Sequence, residues 1–366
     1  MYLQQIQLIN FKNYESADFL FNAKVNGVVG ENGCGKTNLL DAIHYLAFCK
    51  SYFLSQDAFA IRFGEDFFSL HGLFKKDDDE IADKISCAYK SGERKIMKAN
   101  GKEYDRLSDH IGRYPLVMVS PYDHDIINEG SDLRRKFFDM IISQFDKTYL
   151  HQLISYQKLI MQRNVQLKIY IEKRNYDLSL IQIYNNQLIP LATSIYHKRK
   201  DFIKEILPIF TTYYQKLSNQ RETVDIRYES GLHEESMADG LQQTELADFK
   251  CGHTTFGTHR DDFLFLINGE SIKRYGSQGQ QKSFTLGLKL SEFDYIFQKK
   301  ETKPILLLDD IFDKLDPQRT AQLLDLVGED FFGQVFISDT DENRVTKILT
   351  RFGIEHTLQR ISEQTL

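Results

Sequence analysis

The chain alternates between short apolar runs and long amphipathic stretches. "VNGVV" at 25–29 has the composition of a buried strand, and Leu39, Leu40, Ile43, Leu46 and Ala47 behind it recur at helical spacing. "GRYPLVMVSP" at 112–121, "PILLL" at 304–308, "QVFISD" at 334–339 and "IEHTLQRI" at 354–361 predict further core strands. A helix is predicted in "PQRTAQLLDLV" at 317–327. Between Asp66 and Tyr104, strand-like runs are punctuated by "KKDDDE" (75–80), "KSGERK" (90–95) and Asn100-Gly101, which predicts an antiparallel meander. From Asp132 to about Asn219 the pattern is helical, with few glycines and with prolines only at 190 and 208. Residues 221–250 are polar and acidic and read as a loop or return segment. A strand, an Asn268-Gly269 hairpin and the glycine-punctuated loop "GSQGQQKSF" (276–284) follow, leading into a helix over "TLGLKLSEFDYIF".

Composition narrows the classes. The 366 residues are 42% hydrophobic and 27% charged, enough for two domains or one domain with a large insertion. The apolar runs fall far short of the roughly 20 residues that a membrane span needs, so no membrane partner is expected. The start, "MYLQQIQLINFKNY", lacks a basic region followed by an apolar one, so no secretion signal is expected. The cysteines Cys34, Cys49, Cys87 and Cys251 are scattered without a C-x-x-C pair, as in a reduced, cytoplasmic protein. Cys251, His253 and His259 lack the second pair that a zinc site requires. The net charge of −6 argues against a generally basic coat. Residues 147–217, however, hold 11 Lys or Arg against 4 acids. This patch reads equally well as solvated helix faces and as a DNA-facing surface. Its tyrosines fit a core better than base-stacking platforms.

The chemistry concentrates in two loops and one acidic strand end. Gly30 to Thr37 reads G-x-x-x-x-G-K-T, a P-loop between a predicted strand and a predicted helix. Gly30, Gly33 and Gly35 allow the tight turn and a close backbone approach to phosphate. The backbone of Glu31, Asn32, Cys34 and Asn38 completes the cradle, with N–H groups at the helix start aimed at the β-phosphate of ATP. Lys36 reaches the β and γ oxygens, and Thr37 ligates Mg²⁺. The strand "PILLL" ends on Asp309, expected in the Mg²⁺ shell, and Asp310, expected to orient or deprotonate the attacking water. The second loop, with Ser277, Gly279 and Gln280 at a helix start, could cap the γ-phosphate from the other side. Within one chain the site would have to be open and closed at once. Between two copies paired head to tail, two ATP molecules could be sandwiched.

In this order, the P-loop, the long insertion, S-x-G-Q, "LLLDD" and "KLD" resemble the ATP-binding-cassette ATPases of the chromosome-maintenance type. "SQGQQKS", "LINFKNY", "GTHRDD" and "LLLDDIFDKLD" are similar to their counterparts in the RecF family. The resemblance implies a P-loop ATPase core of the cassette type, α/β in class, with an antiparallel β subdomain and an inserted α-helical lobe. Residues 1–125 plus 250–366 would form the ATPase lobe and 126–249 the insertion, which is too short for a coiled-coil arm.

The resemblance also implies site roles. Lys12 and Asn13 would lie near the nucleotide, Lys12 standing where the family more often has Arg. Leu315 and Asp316 would face a partner protomer. Thr340 would stand where transporters have a switch histidine, with Asp339 a departure. Asp310 in place of the transporter Glu suits slow hydrolysis. The implied function is a weak DNA-dependent ATPase of recombinational repair, the DNA-damage (SOS) response and replication-gap processing. ATP would close a homodimer over double-stranded or gapped DNA, with the RecR and RecO mediators and the RecA recombinase as partners. A transporter ATPase subunit and a small-metabolite P-loop kinase are the rival classes.

Overall fold

The computed structural model describes residues 1–76, 81–173, 178–218, 222–311, 331–351 and 356–362. The chain forms two compact units, Met1–Asp123 with Leu286–Leu366, and His124–Thr285. The first unit carries two sheets. Tyr2–Phe11 (β1), Tyr14–Leu20 (β2), Phe67–Lys75 (β4), Asp83–Lys90 (β5), Ile96–Ala99 (β6) and Lys102–Glu103 (β7) make an antiparallel sheet of order β2-β1-β4-β5-β6-β7. Val25–Val29 (β3), Leu116–Val119 (β8), Ile305–Leu308 (β12), Val335–Asp339 (β13) and His356–Arg360 (β14) make a parallel one of order β14-β3-β13-β12-β8.

Burial explains the two patterns. Every residue of β3, β8, β12 and β13 is buried, as in a parallel sheet covered on both faces, whereas β4 alternates. Lys36–Phe48 (α1) is buried at eleven of its positions, so its apolar residues do not form a single stripe. Both Asn-Gly pairs have positive φ at each residue, 51° and 81° at Asn100-Gly101 and 50° and 82° at Asn268-Gly269, as a tight primed hairpin turn requires.

The second unit is built on long helices. Asp125–Asn128 (α2) and Ser131–Phe145 (α3) precede Lys147–Lys173 (α4) and the 41-residue Leu178–Ser218 (α5), which contains Pro190 and Pro208. On α4, Tyr149, Leu153, Tyr156, Ile160, Arg163, Leu167 and Tyr170 are buried at alternating four- and three-residue steps. The aromatics Tyr149, Tyr156, Tyr170 and Tyr196 are therefore core residues.

Two arginines of the basic stretch are core residues as well. Arg163 is fully buried and donates to Asp248 Oδ2 at 2.6 Å, Thr254 Oγ1 at 2.8 Å and Asn185 Oδ1 at 2.9 Å. Arg199 bridges Asp139 and Asp261 at 2.9 Å each. Lys158, Lys168, Lys173, Lys200 and Lys204 remain on the surface.

Residues 221–250 differ from the expected loop. Val224–Glu229 (β9) pairs with Asp262–Ile267 (β10), which pairs with Glu270–Ser271 (β11), and Met237–Gln243 (α6) and Glu245–Cys251 (α7) follow β9. Ile226 and Tyr228 point inward on β9 between exposed or half-exposed neighbours, and the acids of β9, Asp225 and Glu229, take outer positions. Ile272–Tyr275 (α8) leads to Gln278–Lys300 (α9). Residues 250–285, expected with the ATPase lobe, pack into the second unit through the β9–β10 ladder, so the second loop lies there as well. Among the described residues no helix is long and apolar enough to cross a membrane.

Removing the Arg163 charge leaves Asp248 buried without its cation. Arg163→Met should lower stability by about 3–5 kcal/mol in urea unfolding, and Asp248→Leu in the same chain should recover most of it.

Candidate functional site

The P-loop closes the carboxyl end of β3. Gly30 passes so near β14 that a Cβ there would lie 2.3 Å from the Ile361 carbonyl oxygen. Gly35, at φ 103°, is the left-handed N-cap of α1, and a Cβ on it would meet Asn13 Nδ2 at 2.8 Å and Tyr14 Oη at 2.9 Å. No side chain caps this helix start, so its first-turn N–H groups can serve an anion. The Lys36 ammonium donates to the Gly30 and Glu31 carbonyls, each at 2.9 Å, and is nearly fully buried. It lies across the loop that would hold phosphate. Glu31, Asn32 and Gly33 are exposed, and Cys34 is buried under the loop.

The acidic strand end meets this helix. Thr37 Oγ1 donates to Asp309 at 3.0 and 3.1 Å, and Ser338 Oγ donates to the same carboxylate at 2.7 Å. Burial pushes the Asp309 carboxyl up, opposed by the Ser338 and Thr37 hydrogen bonds. Asp310 follows in a left-handed conformation, φ 46°, with its N–H donated to Ser338 Oγ at 2.9 Å. One Asp310 oxygen, Oδ1, is buried and has no hydrogen-bond partner among the described residues. A carboxylate oxygen in that position is costly unless a cation or a water answers it.

The donors fit Mg²⁺ better than a protein-only cage. Thr37 and Asp309 offer hard oxygen ligands, and among the described residues no group of three or more His, Cys, Asp or Glu could hold a metal. Mg²⁺ usually takes one or two carboxylates and completes its shell with water and phosphate.

The remaining predicted residues are placed as follows. Asn13 Oδ1 accepts from Asn38 Nδ2 at 2.7 Å, which brings both to the P-loop. The Lys12 ammonium is 2.6 Å from buried Asp41 and 5.4 Å from the Phe53 ring centre, so in this structure its charge is committed to α1. Ser277 and Gln280 form a reciprocal helix cap. The Ser277 N–H donates to Gln280 Oε1 at 2.7 Å, and the Gln280 N–H donates to Ser277 Oγ at 3.2 Å. Gln280 Nε2 also donates to Glu222 at 2.9 Å, so this side chain is structural here. Ser277 is exposed and Gly279 lies in the first turn of α9. Asp339 is buried with Arg344 at 3.4 Å, and Thr340 is half-buried. Leu315, Asp316 and the helix predicted at 317–327 lie outside the described residues.

Sequence reasoning missed two residues. Tyr14 donates its hydroxyl to the Gly35 carbonyl at 3.0 Å and so pins the loop's end. Ser338 joins Asp309 to the Asp310 backbone. Tyr14 reads as an ordinary strand aromatic, and Ser338 carries no motif.

Known proteins resemble this chain in sequence and in fold. The RecF/RecN/SMC N-terminal domain matches residues 2–60. The DNA replication and repair protein RecF of Flavobacterium johnsoniae is 47% identical over 95% of this chain and 97% of its own length. The chain belongs to the RecF family. RecF of Parabacteroides distasonis is 43% identical over 99% of this chain and 97% of its own. The solved structure of the recombination mediator protein RecF-ATP in the RecFOR pathway covers 99% of this chain and 96% of its own, at 30% identity and a TM-score of 0.89. A SmcHead structure, bound to the C-winged helix domain of ScpA, matches at 16% identity and a TM-score of 0.55, with 95% and 92% covered, and shows the shared fold alone. The fold is thus the cassette-type P-loop ATPase core with an antiparallel β subdomain and a helical region.

In this RecF-family site the Lys36 ammonium is buried against two carbonyls of the loop. Lys36→Ala should weaken ATP binding by at least about a hundredfold, a loss of a charge-assisted phosphate contact, with the melting temperature little changed. Calorimetric titration with ATP checks the affinity, and thermal unfolding checks the melting temperature.

Proposed function

We propose that this chain is an ATP-dependent DNA-binding protein of recombinational repair and replication-gap processing, in which ATP closes two copies over DNA. The observation that carries the reading is the bond set Thr37–Asp309–Ser338, which fixes a carboxylate against the P-loop helix, followed by Asp310, whose buried Oδ1 has no hydrogen-bond partner among the described residues. Lys36 and the uncapped start of α1 bind the triphosphate. Thr37 and Asp309 would hold Mg²⁺, which when bound neutralises charge on the phosphates. Asp310, held by its backbone to Ser338, orients the attacking water or accepts its proton. Asp is shorter than Glu and keeps water less closely, which supports slow turnover.

Ser277 belongs, on this reading, to the site of the other copy. It is exposed at the head of a capped helix, where its hydroxyl proton and the first-turn N–H groups can meet a γ-phosphate. The γ-phosphate supplies the differential contact, so ATP favours the closed dimer and ADP does not. The exposed lysines of α4 and α5 would meet DNA phosphates. RecR, RecO and RecA are the proposed partners, through the RecFOR pathway in which the solved RecF relative acts.

Sedimentation with ATP, with ADP and with a duplex oligonucleotide tests this reading. Dimers with ATP alone, and DNA affinity that falls steeply between 50 and 200 mM salt, are expected, since several phosphate contacts lose about 10³-fold or more over that range. A monomer under every condition rejects the clamp, and an ATP dimer indifferent to DNA favours a transporter-type ATPase. Asp310→Asn should keep ATP binding and dimerisation while phosphate release slows by about a hundredfold or more. Ser277→Arg should keep nucleotide binding and abolish the dimer.

A further inference from the structure

A cavity of about 530 Å³ opens at the amino end of the parallel sheet, within the first unit. Much of its lining leads into four of the five strands. Ala23 and Lys24 precede β3, Arg113 and Pro115 precede β8, Thr302 and Lys303 precede β12, and Gly333 and Gln334 precede β13. The P-loop and Asp309 stand at the carboxyl ends of β3 and β12. β3 is five residues long, at about 3.3 Å each, so the cavity lies on the order of 15 Å from the P-loop and is no part of it.

Bonds within the unit fix its walls. The Lys24 carbonyl accepts the Val335 N–H at 2.8 Å, and the Pro115 carbonyl accepts the Ile305 N–H at 2.9 Å. The buried Gln334 amide donates to the Leu3 and Asn22 carbonyls and accepts the Leu3 N–H, each at 2.8 Å. Phe332, which is buried, and Phe297, which is half-buried, supply an apolar side.

The rim is cationic, in a chain whose net charge is −6. Among the described lining residues, Lys24, Lys76, Arg113, Lys300 and Lys303 stand against one carboxylate, Glu301. Lys300 has a local reason to be there, since it ends α9, where a cation meets the helix carbonyls. Arg113 gives one nitrogen to Asp83 at 2.9 Å. Lys24, Lys76 and Lys303 reach the same hollow from three other segments, the approaches to β3 and β12 and the end of β4, which helix capping does not explain. Burial pushes the Lys300 ammonium down, a cost that an anion in the cavity removes. A hollow lined by one sign of charge concentrates the field, and small-molecule sites are roughly 300–1,000 Å³ in volume.

We propose that this cavity binds a small molecule bearing a run of phosphates, with the phosphates on the lysine rim and any attached ring against Phe297 and Phe332. Ammonium groups on flexible stems answer adjacent phosphates as point charges. A hollow of this size takes a small guest whole, whereas a DNA duplex would touch only its rim. The site is separate from the P-loop and does not depend on ATP binding there.

Calorimetric titration of inorganic tripolyphosphate into the full chain carrying Lys36→Ala tests this, since that substitution removes the phosphate lysine of the P-loop. Saturable binding at one site is expected. In the same background, Lys24→Gln with Lys303→Gln should weaken it by about tenfold or more, through the loss of two charge-assisted contacts. Lys98→Gln with Lys102→Gln, an equal change of charge on β6 and β7, should alter it by less than about twofold. Lys24→Gln with Lys76→Gln, both exposed positions, decides the matter if the first pair fails to fold. GTP in place of tripolyphosphate separates two sources. Tighter binding that is lost in the same variants assigns a phosphorylated nucleoside, and binding no tighter assigns the bare phosphate chain. Absence of saturable binding overturns the proposal, as does an equal loss in the Lys98 and Lys102 pair. A duplex oligonucleotide that loses tenfold in affinity in the Lys24 and Lys303 pair, with tripolyphosphate unbound, also overturns it and assigns the rim to DNA.

Discussion

A buried strand that ends on two acids has to be answered by hydrogen-bond donors or by a cation. Here Thr37 and Ser338 answer one carboxylate, while the second keeps a buried oxygen without a partner among the described residues. β12 and β13 run parallel with Leu308 opposite Ile337, which brings Ser338 beside Asp309, and Thr37 ties the first turn of α1 to the same carboxylate. The same bonds hold Asp310 in a left-handed conformation that an L-residue adopts only when its surroundings compensate. The cost of leaving one oxygen unanswered is the physical reason to expect a ligand there.

The second unit satisfies its own buried charges differently. Arg163 and Arg199 are held by side chains and a carbonyl of the same unit, which makes them architecture and removes them from any phosphate-binding surface. Lys289 in the first unit is buried as well, 3.5 Å from both Asp123 and Glu292 and 3.2 Å from the Tyr52 hydroxyl.

Much of this was legible in the sequence because the motifs are local. The P-loop turn, the "PILLL" strand with its acids, the two Asn-Gly hairpins and the meander each depend on a handful of adjacent residues. Pairings across hundreds of positions were not legible. Nothing near Tyr14 announces that its hydroxyl holds Gly35, and nothing near Ser338 announces the carboxylate 29 residues away. The stretch 221–250 was misread because most of its acids lie on the outer faces of a strand and two helices, with Asp248 buried against Arg163, and composition does not distinguish that from a loop. Lys12 was expected near the nucleotide from the resemblance alone, and its pairing with Asp41 is a contact that only the packing of the β1–β2 turn on α1 reveals. Gln280 likewise sits in a motif but works as a helix cap.

The central claim is that a complete site takes its P-loop from one copy and its Ser277 from another. Mixing two inactive chains, Lys36→Ala and Ser277→Arg, tests it most directly. A mixed dimer would contain one site with an intact lysine and an intact serine, so ATP turnover should return on mixing. Turnover that stays at the level of either chain alone would contradict the account.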